Sequence, residues 1–276
     1  MDDLRAEKCL FWALNQPKII TIKMDRRTFN QKFSQGLVGF AFLETFIGHD
    51  LFAQKINPIT NQWAKELNTI CQDLKTQEIS QVLWQQKVEA LLQRISLTDL
   101  MKFIDFERVV RTMKYPDLGV TAKMVRFPRL AGVPARAAFA KKIFGVQKGR
   151  AIIPHGHQNM TSAHLILRGD FEVKHYDKIS ENADEMIIKP TIHKVGKAGE
   201  ATSISDEKDN VHWYQALTDK AYTFDIIVFN LDPTHGKPYD ISNIDPDEGK
   251  NIGQGRIQVP KLTVAQGLKK YGKSHH

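Results

Sequence analysis

The pattern of apolar and polar positions changes character once along the chain. From Asn61 to Met113 apolar residues recur at helical spacing. Trp63, Leu67 and Ile70 make one stripe, which Leu74 extends, and Val82, Leu83, Val88, Leu91, Leu92 and Ile95 make a second. Ser96-Leu-Thr-Asp99 reads as a cap ahead of Leu100, Phe103, Ile104 and Phe106. Tyr115-Pro116-Asp117-Leu118-Gly119 breaks the helical texture. Beyond Gly119 the runs are short, apolar or alternating, and separated by Gly, Pro, Asp and Asn: Val120–Phe127, Ala140–Val146, Ala151–His157, Ala163–Leu167, Phe171–Tyr176, Glu185–Ile188 and Ala221–Leu231. Such spacing predicts an all-β sandwich or barrel, with Gly169-Asp170 as a hairpin turn.

The expected fold class is therefore α+β. An N-terminal segment covers residues 1–60, a helical extension 61–118, an all-β barrel 119–236 and a C-terminal tail 237–276. From Asp232 on, the chain is rich in Asp, Gly, Asn and Lys, and is expected to run over the surface with one short helix around Thr263–Tyr271. Within the first segment, Arg26-Arg27, Phe29 and the apolar run 36–43 are similar to a twin-arginine export signal over 24–53, with Met24 as a candidate start. Glu44 and His49 interrupt that run, so an amphipathic helix packed on the protein is the competing reading. Periplasmic and cytoplasmic locations both stay open. The run is too short for a membrane span.

Composition narrows the function classes. With 276 residues, 42% hydrophobic and 25% charged, the chain has ordinary globular usage. The net charge of +8 is spread among interleaved Asp and Glu with no dense basic block, which argues against a nucleic-acid partner. Cys9 and Cys71 form no C-x-x-C pair, so neither a disulfide framework nor a zinc finger is expected.

The chemistry concentrates in Gly149-Arg-Ala-Ile-Ile-Pro-His155-Gly-His157. Residues two apart on a strand share a face, so both imidazoles can reach one point. His212, in a later strand-like run, is the expected third ligand. Three imidazoles suit iron(II), zinc, nickel, copper or manganese, and leave positions open for water, dioxygen or substrate. Hydrogen-bonded histidines on a half-buried strand are the structural alternative.

Gly149-x5-His155-x-His157, followed by Gly169, resembles the first motif of the cupin superfamily, G-x5-H-x-H-x(3,4)-E-x6-G, with Ser162 where the usual glutamate ligand stands. The second motif is partly kept: His212 matches its histidine, while Asp209 replaces a glycine and Ala216 an asparagine. The missing glutamate and the segment Pro154-His-Gly-His-Gln-Asn-Met-Thr161 are similar to the thiol dioxygenases, among them the plant cysteine oxidases, 2-aminoethanethiol dioxygenase and cysteine dioxygenase. Leu167–Asp177, Asp209-Asn-Val-His212 and Phe224-Asp-Ile-Ile227 add to the likeness. It spans roughly 141–232 and implies a jelly-roll barrel with iron(II) held by His155, His157 and His212. That family's Pro-Gly pair is Gln158-Asn159 here, so its substrate is not carried over. The helical extension has no counterpart in it.

If Ser162 faces inward, so does His164 two residues on. His164 is then a fourth ligand, a supporting or acid–base residue near the metal, or a core histidine satisfied by a carbonyl. Tyr214 shares a face with His212 and either lines the pocket or packs. His175, His193, His235, His275 and His276 are not assigned to the site. The expected function is a mononuclear metal-dependent enzyme of dioxygenase type acting on a small molecule. A non-catalytic or regulatory cupin that binds a metal or small ligand is the alternative. The helical extension packs on the barrel or on a second copy of the chain, as in a homodimer.

Overall fold

The computed structural model describes residues 58–130 and 137–273; the export-signal reading and His275-His276 lie outside them. Among the described residues, four helices come first: α1 (Pro58–Lys75), α2 (Gln81–Arg94), α3 (Leu97–Phe103) and α4 (Phe106–Arg111). The stripe of α1 buries Trp63, Leu67, Cys71 and Leu74, and that of α2 buries Trp84, Val88, Leu91 and Leu92. Ser80 caps α2 through the Leu83 N–H, and Ser96 caps α3 through the Asp99 N–H, as its sequence predicts.

Twelve strands follow among the described residues: β1 (Thr121–Met124), β2 (Ala140–Val146), β3 (Ala151–Gln158), β4 (Met160–Arg168), β5 (Phe171–Glu181), β6 (Glu185–Gly196), β7 (Ala201–Ile204), β8 (Val211–Ala216), β9 (Ala221–Phe229), β10 (Asp240–Asn243), β11 (Lys250–Gly253) and β12 (Arg256–Pro260). They form two antiparallel sheets in a jelly-roll-like arrangement, ordered β1-β2-β9-β4-β7 and β10-β3-β8-β5-β6-β12-β11.

Period-two alternation divides each sheet between two cores. On β4 and β9, Ala163, Leu165, Leu167, Phe224, Ile226 and Val228 join Trp63, Trp84, Leu92 and Phe106 of the helices. The helical extension is thus the outer cover of the five-stranded sheet. The alternate residues face inward, where Val146, Ile166, Phe171, Val173, Tyr214 and Ala216 close the interior with an apolar cluster.

The segment expected to be a surface tail is instead part of the fold. β10 pairs with β3 and β12 with β6, and α5 (Val264–Tyr271) lies where the sequence placed a helix. α5 carries a capping box from Thr263 and Gln266, and packs Tyr271 and Leu268 on Ala151, Ile153 and Trp213. A Cβ at Gly267 would stand 2.6 Å from the Ile153 side chain, so glycine permits this close docking. These strands escaped the sequence reading because they are short and largely polar: β11 is exposed throughout.

Tyr271 stacks edge-on against Trp213 at 5.2 Å and donates its hydroxyl hydrogen to Asp245 Oδ1 at 2.6 Å. Tyr271→Ala is expected to cost about 3 kcal/mol in urea unfolding, as a large buried aromatic does. A change within about 0.5 kcal/mol would return this segment to a loose surface appendage.

Candidate metal centre

One irregularity in β3 sets its histidines. Pairing with β8 runs Ile152↔Tyr214 and then His155↔His212, so three steps on β3 match two on β8. This is a β-bulge at Ile153-Pro154, where proline's missing N–H is tolerated. Strict alternation from Ile152, which packs in the interior cluster, would turn His155 outward. The extra residue shifts the phase, so His155 and His157 face inward. The same ladder puts His155 directly opposite His212.

Three ring nitrogens then converge. His212 Nε2 lies 3.1 Å from His155 Nε2 and 3.1 Å from His157 Nε2. Two bonds of about 2.1 Å to one ion, meeting near 95°, give roughly this separation. The other nitrogens settle the tautomers. His155 Nδ1–H donates to the Ile153 carbonyl at 2.6 Å, and His157 Nδ1–H donates to the Met160 thioether at 3.0 Å. Both Nε2 atoms therefore present lone pairs to His212. A single proton on His212 Nε2 can serve only one of them, whereas a cation serves all three. His155, His157 and His212 are a group that can hold a metal ion.

Burial keeps these rings neutral, the form a metal needs. It pushes His155 down to about 4, with neighbouring His164 adding to the effect and the Ile153 carbonyl opposing it. Burial first, and adjacent imidazoles second, hold His157 and His212 well below the usual histidine range.

Asn210 locks the backbone of His157 from both sides. Its Oδ1 accepts from the His157 N–H at 3.1 Å, and its Nδ2 donates to the His157 carbonyl at 2.9 Å. Asp209, in the motif's glycine position, has φ 54°, and Asn159, in the other family glycine position, has φ 61°. Both adopt the left-handed conformation glycine would supply, which Asn and Asp tolerate best among side-chain-bearing residues.

Behind the three histidines the interior is polar. Lys142, Asp225, His164 and Thr202 stand opposite one another on β2, β9, β4 and β7, all buried. His164 Nδ1–H donates to Asp225 Oδ2 at 2.8 Å, and its Nε2 is buried without a partner among the described residues. Its ring centroid is 4.6 Å from that of His212. His164 therefore joins the centre from behind, outside the three-residue ligand group. Ser162 is buried with its Oγ unpartnered among the described residues.

Tyr214 is buried as well, and its hydroxyl is engaged by Thr202 Oγ1. Thr202 also meets His175 Nε2 at 3.2 Å. His175, left unassigned from sequence, is fully buried opposite His212 in the ladder. Burial pushes it down to about 3. The signal was present: Phe171, Val173 and His175 alternate with Glu172 and Lys174, the pattern of an inward face. Lys142 and Asp225 were also missed as site residues, since their meeting depends on strand pairing. His193 is exposed at the surface, bonded to Glu172. His235 lies with His157, Asn159, Lys178, Asp206 and Asp232 around a polar cleft of about 270 Å³.

No family model and no curated protein matches this sequence. Solved structures similar to it include KdgF from Halomonas sp., at 16% identity over 40% of this chain and 77% of that one, with a TM-score of 0.28. An RmlC-like cupin from Shewanella frigidimarina matches at 16% identity over 42% and 84%, with a TM-score of 0.29. Procruciferin, an 11S globulin from Brassica napus, matches at 11% identity over 48% and 29%, with a TM-score of 0.31.

The depressed His155 value gives a signed pH effect. As pH falls below 6.5, the unfolded chain takes up a proton that the folded chain refuses until about pH 4. Metal-free protein is expected to lose stability through that window, and His155→Gln to lose less. Urea midpoints of chelator-treated protein between pH 7.5 and 4.5 measure this; identical slopes for the two proteins would contradict it.

Proposed function

We propose that this chain is a mononuclear metal-dependent oxygenase of dioxygenase type, with iron(II) held by His155, His157 and His212. The observation carrying this reading is that His212 Nε2 lies 3.1 Å from the Nε2 atoms of both His155 and His157, with two Nδ1 atoms tied back to the protein. Iron is the choice the thiol dioxygenase resemblance implies, and the imidazole donor set is compatible with it. When bound, iron(II) supplies open coordination positions where dioxygen and a substrate atom meet.

The chain's own residues then divide the work. The Ile153 carbonyl and Met160 sulfur fix the orientation of two ligand rings. Asp225 holds His164 through Nδ1 and leaves its Nε2 free to accept or return a proton beside His212. Tyr214 acts as a positioning residue in this reading, because its hydroxyl is already engaged by Thr202. Ser162, short where a glutamate would reach the metal, leaves a position for a small-molecule substrate.

Protein reconstituted anaerobically with iron(II) is expected to bind one equivalent and to consume oxygen with a member of a thiol and diketone panel. His155→Ala is expected to lose stoichiometric metal. His164→Asn is expected to keep the metal and lose about 10²- to 10⁴-fold in turnover, the scale of a general acid–base residue. Absence of metal from the parent protein would overturn the reading. Bound iron without oxygen uptake would replace it with a non-catalytic metal-binding cupin.

A further inference from the structure

Helix α2 does more than cover the sheet. Gln81, Gln85 and Glu89 are spaced by four, so they lie along one face of the helix. That face meets β7, the edge strand of its sheet, and the loop that follows. Ser203 Oγ donates to Glu89 Oε1 at 2.6 Å, and Gln85 Nε2 donates to the Ser203 carbonyl at 3.1 Å.

Two hydrogen-bond chains run on from there to the end of β3 and the residue that follows it. In the first, Ser205 Oγ donates to Gln85 Oε1 at 2.7 Å, and the Ser205 carbonyl accepts from Asn210 Nδ2 at 3.0 Å. Asn210 in turn grips the N–H and carbonyl of His157. Gln85, Ser205 and Asn210 are 5%, 0% and 1% exposed, so water does not compete for these bonds. In the second chain, the Asp206 N–H donates to Gln81 Oε1 at 2.9 Å, and Asp206 Oδ2 accepts from the Asn159 N–H at 2.8 Å. Asn159 is two residues beyond His157.

We propose that α2 is a positioning element for the metal ligand His157, acting through Gln85–Ser205–Asn210 and Gln81–Asp206–Asn159. The inference rests on the metal-binding reading above. It gives the helical extension a role in the site that covering apolar surface would not require. Burying an amide at position 85 is costly unless its bonds are made, and an apolar residue there would cover the sheet equally well.

The test measures metal affinity rather than turnover. Full-length parent, Gln81→Ala/Gln85→Ala, Ser205→Ala and Gln86→Ala, the last an exposed position of the same helix, are stripped and titrated with cobalt(II) against a chromophoric chelator. Circular dichroism confirms that each metal-free variant is folded. The double variant and Ser205→Ala are expected to weaken cobalt binding roughly 10- to 100-fold, as loss of groups supporting a ligand does, with Gln86→Ala at parent affinity. If the buried changes prevent folding, Gln81→Ala alone, at the half-exposed start of the helix, is expected to weaken binding several-fold. Folded variants that bind within twofold of a metal-binding parent would overturn the inference and leave the metal site standing. A parent that binds no cobalt would overturn both.

Discussion

The bulge at Ile153-Pro154 decides which face of β3 carries its histidines. Without the extra residue, the phase set by Ile152 would send His155 and His157 outward, to the same face as Ile153. With it, Ile153 and Pro154 together stand opposite Trp213, the phase changes by one residue, and three imidazoles share a point. The bulge is held from outside: Pro154 accepts a hydrogen bond from the Ile244 N–H, and α5 packs on Ile153 through Gly267. The C-terminal segment therefore supports the geometry of a site to which its described residues contribute no ligand.

Bringing polar groups into the barrel carries a cost that the surrounding structure has to offset. Each buried donor or acceptor left unpaired is unfavourable by about 1–3 kcal/mol. Much of the interior is paired, His164 with Asp225 within one sheet, and Thr202 with both His175 and Tyr214 between the two. Among the described residues, the buried atoms left unpaired at the centre include Ser162 Oγ, His164 Nε2, His175 Nδ1, His212 Nδ1 and Asp225 Oδ1, with others elsewhere in the fold. Beneath them, Phe171, Val173 and Ile166 close the barrel with apolar surface, and on the far side of the five-stranded sheet the helices do the same.

The legible parts of this molecule are those governed by short-range periodicity. The stripes of α1 and α2, the Ser96 cap and the helix at Thr263–Tyr271 follow from the residues alone, whereas Gly169-Asp170, expected to be a hairpin turn, instead carries the chain from one sheet to the other, since β4 and β5 do not pair. The shared face of His155 and His157 also follows from the residues, because their spacing of two survives whichever way the strand is turned. What direction that face points does not follow, since it depends on a bulge visible only against β8. His175 was within reach of the same alternation argument, whereas the row Lys142–Asp225–His164–Thr202 is created by pairing among four strands distant in sequence. The β10, β11 and β12 strands were hidden for a related reason: their polar residues make sheet edges and bridges, with too few apolar positions to show a period.

The central claim is that His155, His157 and His212 ligate one metal ion through their Nε2 atoms. X-ray absorption on metal-loaded protein tests it most directly. The account predicts three imidazole nitrogens at about 2.1 Å in the parent protein and two after His212→Ala. A first shell dominated by oxygen or sulfur, or a nitrogen count unchanged by His212→Ala, would contradict it.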